Sequence, residues 1–135
     1  MKVVLDTNIL LVSIPKKSPY RIIFDALLTG KFQLIISNEI LSEYTEIITQ
    51  KTNLIVATNI CEMLLSLSNV KKQEVFYKWN LIEIDKDDNK FVDCAVAGNA
   101  DYLVSNDKHF NCLKQVEFPK LNLVTIDAFV QLLKN

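Results

Sequence analysis

The sequence predicts a three-layer α/β/α fold around a mainly parallel sheet of about five strands. Short apolar runs such as Val3-Val4-Leu5 and Leu34-Ile35-Ile36 are bounded by polar residues, which is typical of buried strands. Segments with apolar residues at helical spacing separate these runs. Strands that alternate with helices favour βαβ units with helices on both faces of the sheet. The 135 residues suit one domain, expected to span residues 1–135.

The first half of the chain alternates strands with helices. Gly30 follows a helical pattern at the position where helices commonly end. Ser37 or Asn38 can cap the next helix, whose apolar residues recur at Ile40, Tyr44 and Ile47. The elements predicted here are strands at 3–5 and 34–36 and helices at 19–30, from 38 through 48, and at 55–67.

The second half continues the alternation with shorter elements. Residues 70–79 alternate apolar and polar side chains, which favours an extended segment. Asp127 is a candidate cap for the last helix. The elements predicted here are a strand at 81–84, a helix at 88–98, strands at 102–104 and 123–124, and a helix from 127 to 133.

Composition and charge exclude several classes of protein. Lys and Arg number 15 and Asp and Glu 16, and this balance is unlike that of a general nucleic-acid coat. Cys61, Cys94 and Cys112 are odd in number and widely spaced, which argues against a disulfide framework or a zinc site. Asp6 interrupts the first apolar run, so no signal peptide or membrane span is predicted. We expect a cytoplasmic protein with no membrane association.

Two aspartates follow predicted strands. Asp6 comes directly after Val3-Val4-Leu5, and Asp107 comes after strand 102–104 and the turn residues Ser105-Asn106. Ligands of parallel α/β sheets bind at the carboxyl ends of the strands. Each aspartate alone is more typical of a turn. The presence of two at one edge favours a functional site.

Helical arithmetic brings further acids towards the same edge. At about 100° per residue, Glu43 falls on the margin of the apolar stripe of its helix, where a carboxylate needs a partner. Asp88 lies in line with the buried face of the helix that it begins, where plain capping is the alternative. Asp93 falls further from that face.

Asp6, Glu43, Asp88 and Asp107 could therefore meet at one edge of the sheet. Carboxylates brought together repel one another unless a cation lies among them. Oxygen ligands suit Mg²⁺ or Mn²⁺ rather than zinc, and such ions act on phosphates. The residues thus indicate metal-dependent phosphoryl chemistry. Carboxylate oxygens scattered over the structure, or a buried lysine or arginine of this chain that neutralises any one of these acids, would rule out this chemistry.

Four ordered segments resemble the motifs of PIN-domain nucleases. The first is an apolar strand ending in Asp6-Thr7-Asn8, and the second is a serine leading a helix that carries Glu43. The third is the helix with Asp88 and Asp93, and the fourth is a strand followed by Ser105-Asn106-Asp107. The segments cover the chain from residue 3 to about 130. Within the family, the sequence is most similar to the VapC-like toxin components of bacterial toxin–antitoxin systems.

The resemblance implies a Mg²⁺- or Mn²⁺-dependent ribonuclease with RNA as substrate. Asp6, Glu43 and Asp107 would hold metal. The remaining acid is Asp88 or Asp93, because each matches one version of the third motif. Asn8 and Ser105 would orient substrate or ligands. The catalytic residues that the resemblance implies are Asp6, Glu43, Asp88, Asp93 and Asp107. Those that would hold metal are Asp6, Glu43, Asp88 and Asp107, and those that would orient substrate are Asn8 and Ser105.

The resemblance also implies a cognate antitoxin and a homodimer. The main alternative is a catalytically inactive PIN-like module that binds RNA or protein. An aspartyl phosphotransferase would need an Asp where Asn8 stands, and a phospho-acceptor signalling domain would need acids and a late lysine that we do not find.

Other side chains were considered for nucleic-acid contacts. Lys16, Lys17, Lys108 and His109 could contact phosphate, although solvated surface charge is the commoner role. Tyr77 and Trp79 could stack bases, although burial in a core or a dimer contact is commoner.

Overall fold

The computed structural model describes residues 1–135 and contains a five-stranded parallel sheet. The strand order is β3-β2-β1-β4-β5, and each neighbouring pair runs parallel. This confirms the α/β fold class expected from the sequence. The strands are β1 (Lys2–Leu5), β2 (Gln33–Ile36), β3 (Val70–Lys72), β4 (Tyr102–Val104) and β5 (Leu123–Val124).

The central strand β1 fixes where a ligand can bind. Val3, Val4 and Leu5 are fully buried, and because successive side chains point to opposite faces, both faces of the sheet are covered. From β1 the chain continues to β2 on one side and reaches β4 on the other. A parallel sheet opens a crevice where the strand order reverses in this way. Here that crevice lies at the carboxyl end of β1.

Six α-helices connect and cover the strands. Helix α5 packs against β1, β2 and β4, and α3 forms a packed pair with α4. The helices are α1 (Thr7–Ser13), α2 (Arg21–Leu28), α3 (Asn38–Lys51), α4 (Leu54–Ser66), α5 (Asn89–Ala97) and α6 (Ile126–Lys134). Two 3₁₀ segments, Lys86–Asp88 and Lys108–Gln115, precede α5 and β5. None of the helices has the length and apolar character needed to cross a membrane.

Side-chain caps determine where three of the helices begin. Ser37 rather than Asn38 caps α3, since its hydroxyl accepts the N–H of Ile40 at 3.2 Å. Thr125 caps α6, so the expectation that Asp127 caps this helix is wrong. Asp127 lies within the first turn of α6, where its charge suits the positive end of the helix dipole.

A glycine lets α5 lie close to the sheet. A Cβ atom on Gly98 would stand 2.8 Å from Cγ2 of Ile35 in β2, closer than carbon atoms normally approach. The absence of a side chain therefore allows the C-terminal end of α5 to pack tightly. Because α5 is held in this way, the position of Asp88 at its other end is also set.

Residues 81–84 do not form the strand that we expected. The N–H of Ile82 donates to the side chain of Asn89 at 2.9 Å, and its carbonyl accepts from the same amide at 2.9 Å. One side chain thus satisfies both backbone groups that a neighbouring strand would have paired. The fifth strand is instead β3, which pairs with β2, and residues 73–85 carry no regular secondary structure.

Helix α1 was not predicted from the sequence. It begins one residue after β1 and spans seven residues, too short for a clear helical period. Its Ile9 and Leu10 are buried, so packing rather than length stabilises it.

Candidate metal centre

Asp6 lies at the carboxyl end of β1, where the chain turns into α1. Its N–H donates to the carbonyl of Val104 in β4 at 3.0 Å, which continues the parallel pairing past the strand. Its side chain does not cap α1. Oδ2 instead accepts the hydroxyl of Ser105 at 2.8 Å, and the residue is only 7% exposed. The carboxylate is therefore directed across the sheet edge towards β4.

Asp107 reaches the same edge from β4. Its N–H donates to Oγ of Ser105 at 3.0 Å, and its Oδ1 accepts the N–H of His109 at 2.9 Å. Ser105 is thus bonded both to the Asp6 carboxylate and to the Asp107 backbone. This shared hydroxyl brings the two aspartates predicted at the strand ends into one site.

Asp88 completes the group from the start of α5. It occupies the position before the helix, but its side chain makes no capping hydrogen bond. Its Oδ2 lies 3.1 Å from Nδ1 of His109, and the same nitrogen lies 3.5 Å from Oδ1 of Asp107. The capping alternative for Asp88 is therefore wrong, and the carboxylate faces the site.

The electrostatics confirm that these three aspartates are close neighbours. Burial raises the pKa of Asp6 to about 6, the Ser105 hydrogen bond opposes this shift, and the charges of Asp88 and Asp107 add to it. Burial also raises the pKa of Asp88, against the hydrogen bond from His109. The hydrogen bond to Asp88 raises the pKa of His109. No Lys or Arg forms an ion pair with any of the three aspartates.

Glu43 is held differently from the aspartates. One carboxylate oxygen accepts the hydroxyl of Thr7, which follows Asp6 in the chain. The other oxygen accepts Nζ of Lys90 at 2.7 Å. The two side chains of this ion pair are 16% and 22% exposed for Lys90 and Glu43 respectively. Burial lowers the pKa of Lys90, but the hydrogen bond and charge of Glu43 outweigh it, so the net shift is upward.

The Lys90 pair corrects the expectation for Glu43. We expected four carboxylates without a basic partner of the same chain, and Glu43 has one. It lies next to Asp6 through Thr7, but its charge is balanced within the protein. Lys90 is partly rather than fully buried, and the acids without a lysine or arginine partner are the three aspartates, with His109 beside Asp88 and Asp107.

Asp93 does not belong to this group. Its Oδ1 accepts the backbone N–H of Trp79 at 3.0 Å, and the residue is buried. Burial raises its pKa, and the Trp79 hydrogen bond partly offsets the rise. The helical spacing puts Asp93 away from the apolar face of α5. The residue is buried nonetheless, because residues 73–85 cover this side of the helix. Of the two candidates for the third motif, Asp88 is the one in contact with the site.

A cavity of about 290 Å³ opens beside the acids. Asn8 is exposed at its rim, and Asn106 lies between Ser105 and Asp107 with its Oδ1 bound to the N–H of Ile126 at 2.9 Å. The cavity is lined by Asp6, Asn8, Ile9, Val12, Tyr20, Asn106, Asp107 and Ile126. The two amides and two carboxylates give this opening a polar side next to an apolar one.

Sequence reasoning missed two residues of the site. Asp85 joins Asp88 and His109 in a group whose ligand atoms all lie within 4.8 Å of one another. The spacing of Asp85 and Asp88 ahead of a helix was the available signal. Lys90 was also missed, although a basic residue one turn into that helix is well placed to meet an acid on α3.

The basic residues that we considered for phosphate contacts divide into two kinds. Lys16, Lys17 and Lys108 are exposed and form no ion pair, so their role stays a prediction. His109 is instead bound to the acids. Among the aromatic residues, Tyr77 is 64% exposed, so the alternative that its side chain is buried in the core is wrong.

The donor set fits a hard divalent cation. Asp6, Asp88 and Asp107 have no lysine or arginine partner, and burial, with a smaller contribution from the charges of the other two aspartates, raises the pKa of Asp6. The ligand atoms that lie within 4.8 Å of one another are carboxylate oxygens of Asp85 and Asp88 and an imidazole nitrogen of His109, and no thiolate belongs to this group. Such ligands suit Mg²⁺ or Mn²⁺.

The class of protein follows from this combination of fold and site. Residues 2–109, which include the strand ends that carry Asp6 and Asp107, match the family model described as "PIN domain". The chain therefore belongs to the PIN-domain family. No curated protein matches this sequence.

Two solved structures share the fold. A chain of VapBC2 from Rickettsia felis, bound to a DNA fragment from its promoter, has a TM-score of 0.63 and 22% identity and covers 93% of this chain and 98% of its own. A chain of VapBC-1 from nontypeable Haemophilus influenzae has a TM-score of 0.61 and 18% identity, with 94% and 99% covered.

Proposed function

We propose that the protein is a metal-dependent endoribonuclease that hydrolyses RNA phosphodiester bonds. The observation that carries this proposal is the convergence of Asp6, Asp88 and Asp107 beside an open cavity with no lysine or arginine to balance them. Membership in the PIN-domain family supports the same reaction class.

Asp6, Asp88 and Asp107 are the residues that would hold Mg²⁺ or Mn²⁺. A divalent ion bound there would supply a Lewis acid and a more acidic water for in-line attack on phosphorus. Ser105 fixes the orientation of Asp6 through its hydroxyl, and through the Asp107 N–H it sets the spacing of the two strand ends. Since these groups lie on strand ends rather than on a mobile loop, their geometry is largely pre-organised.

Asn8 and Glu43 act beside the aspartates in this proposal. The exposed amide of Asn8 can donate to a phosphate or ribose oxygen at the rim of the cavity. Glu43, held by Thr7 and Lys90, positions the first turn of α1 next to Asp6. Asp93 has no part in the reaction and supports residues 73–85 through Trp79.

Cleavage of a single-stranded RNA with Mg²⁺, with Mn²⁺ and with EDTA tests the proposal. We expect cleavage with either ion, none with EDTA, and at least about a hundredfold loss for Asp6→Asn and Asp107→Asn. The matched control is Asp101→Asn, which changes an exposed aspartate just before β4, at the amino ends of the strands and so at the opposite end of the sheet from the acids. Equal cleavage by Asp6→Asn and the wild type would contradict the proposal. Absence of cleavage under every condition would favour a catalytically inactive RNA- or protein-binding module.

We further propose that the chain is the toxin of a toxin–antitoxin pair. The two similar structures are VapBC assemblies, which supports an antitoxin partner, and a homodimer is proposed with it. Induced expression should arrest bacterial growth for the wild type but not for Asp107→Asn. Co-expression of the product of an adjacent gene should restore growth, and sedimentation should give the mass of a dimer. Growth unaffected by the wild-type protein would contradict the toxin assignment.

A further inference from the structure

An aromatic cluster lies on the surface beside α5. The rings of Tyr77 and Trp79 are 4.7 Å apart between centroids, and those of Trp79 and Phe118 are 5.8 Å apart, both edge to face. Phe118 is 81% exposed and Tyr77 64% exposed. We call these three residues the aromatic platform. Single exposed hydrophobic residues are common, whereas rings that pack on one another at the surface form a contiguous apolar patch, which is a candidate binding surface.

The platform is attached to the chain segments that carry the acids. The N–H of Trp79 donates to Asp93 on α5, the same helix that Asp88 precedes. Phe118 follows the 3₁₀ segment Lys108–Gln115, which begins directly after Asp107. The two segments also meet where Sγ of Cys112 lies 3.7 Å from the carbonyl of Leu81. The aromatic platform is therefore attached to α5 and to the segment that follows Asp107.

Exposed lysines lie close in sequence to the platform. Lys78 lies between Tyr77 and Trp79, and Lys114 and Lys120 lie on either side of Phe118, next to the exposed Glu117; none of the three lysines forms an ion pair. A polar pocket of about 270 Å³ lies beside Lys78 and α5. Its lining comprises Glu39, Lys78, Asn80, Lys86, Asp87, Asn89, Lys90 and Asp93, with no apolar residue. Lysines beside exposed rings are the pattern that single-stranded nucleic acids contact, since rings stack on bases and ammonium groups meet phosphates.

We propose that the platform formed by Tyr77, Trp79 and Phe118 stacks bases of single-stranded RNA. This inference rests on the proposed nuclease function for the choice of RNA, but binding at the platform needs no metal. A paired helix offers no free base faces to such rings, so single strands should bind better than duplexes.

Fluorescence of the protein gives a direct test, because Trp79 is its only tryptophan. An oligouridine of about twelve nucleotides is titrated in EDTA, where cleavage does not interfere. We expect saturable quenching, and at least about a fivefold higher Kd for Phe118→Ala and for Tyr77→Ala. Fluorescence-anisotropy titration with a labelled oligouridine gives each Kd independently of the tryptophan signal. The matched control is Phe76→Ala, an 89% exposed phenylalanine outside the stacked cluster, for which Kd should not change.

Other outcomes overturn the inference or separate it from the nuclease proposal. Equal Kd values for Phe118→Ala and the wild type would overturn it, as would a Phe118→Ala protein that loses self-association while binding RNA normally. The second result would mark the platform as a contact between copies of the chain. Cleavage without platform-dependent binding overturns only the platform. Platform-dependent binding by a protein that does not cleave RNA supports the platform and contradicts the nuclease proposal.

Discussion

The hydroxyl of Ser105 donates a 2.8 Å hydrogen bond to Oδ2 of Asp6, between residues 99 positions apart in the chain. The bond joins the ends of β1 and β4, which are adjacent in the sheet. Because Oγ of Ser105 also accepts the N–H of Asp107, the position of Asp6 depends on that of Asp107. The two strand ends therefore behave as one unit.

The first prediction concerns Asp6 and pH. The pKa of Asp6 rises from an ordinary value of about 3.9 to about 6 on folding, so the folded protein binds the proton more tightly than the unfolded chain. Protonated Asp6 therefore contributes to the free energy of unfolding below about pH 4. This contribution, about 3 kcal/mol, is lost as the pH rises to about 6. In EDTA, Asp6→Asn should therefore be more stable than the wild type near neutral pH.

Urea unfolding in EDTA at about pH 4 and about pH 7 measures this effect. The difference between Asp6→Asn and the wild type should be clearly larger at the higher pH. Asp101→Asn, with an exposed carboxylate, serves as the control. A stability loss for Asp6→Asn at neutral pH would identify Asp6 as a structural partner of Ser105 rather than an acid held against repulsion.

The second prediction separates Asp88 from Asp93. Asp88→Asn should lose at least about a hundredfold in metal-dependent cleavage, because its carboxylate faces the site. Asp93→Asn should keep activity within a few-fold, since its carboxylate is bound to the Trp79 N–H. The same change should alter the Trp79 emission spectrum. If Asp93→Asn were as inactive as Asp88→Asn with normal emission, the assignment of the third acid would be reversed.

The third prediction concerns the Lys90–Glu43 ion pair. Lys90→Met should lower the free energy of unfolding by about 1–3 kcal/mol, because it leaves the half-buried Glu43 carboxylate with only the Thr7 hydroxyl as a partner. Adding Glu43→Gln should recover part of this loss, which a double-mutant cycle in urea measures.

The same variant reports on metal binding. Lys90→Met removes the cation that balances Glu43, so Mn²⁺ should bind more tightly, as calorimetry can measure. Unchanged Mn²⁺ affinity would mean that Glu43 lies outside the electrostatic reach of the site.

The fourth prediction concerns Tyr44. Its hydroxyl donates to the carbonyl of Leu5, the residue directly before Asp6, at 2.6 Å, and both Tyr44 and Leu5 are fully buried. Tyr44→Phe should cost about 1–2 kcal/mol in urea unfolding, because the removed hydroxyl leaves the carbonyl short of a donor. Tyr102→Phe, a partly exposed tyrosine with no hydroxyl hydrogen bond in the structure, should cost less than about 0.5 kcal/mol. Equal losses for the two variants would argue against the hydrogen bond.

Much of the fold follows from local patterns. Val3-Val4-Leu5 and Leu34-Ile35-Ile36 form buried strands. Consecutive apolar residues in a strand point to both faces of the sheet, so such runs suit a sheet that is covered on both faces. Residues 81–84 have a similar pattern, yet the side chain of Asn89 satisfies Ile82 instead of a neighbouring strand. The sequence of residues 81–84 does not show that the Asn89 side chain will take the backbone hydrogen bonds of Ile82.

In the candidate site too, residues at strand ends were predicted, whereas partners from other elements were not. Asp6 and Asp107 were identified because a strand end fixes both the place and the direction of the chain. The partner of Glu43 was missed, because Lys90 reaches it from another helix and helical arithmetic treats each helix alone. Asp93 was ambiguous for the same reason, since its hydrogen-bond donor belongs to an irregular segment whose path the sequence does not specify.

The edge strand β3 has a consequence for how copies of this protein meet. Lys71 and Lys72 are both exposed there, and the strand is only three residues long. A second sheet that added to this edge would bring its own lysines beside them, at the cost of like-charge repulsion. Edge-to-edge pairing of sheets from two copies is thereby disfavoured at β3. We therefore expect that the protein does not form amyloid through this edge at high concentration.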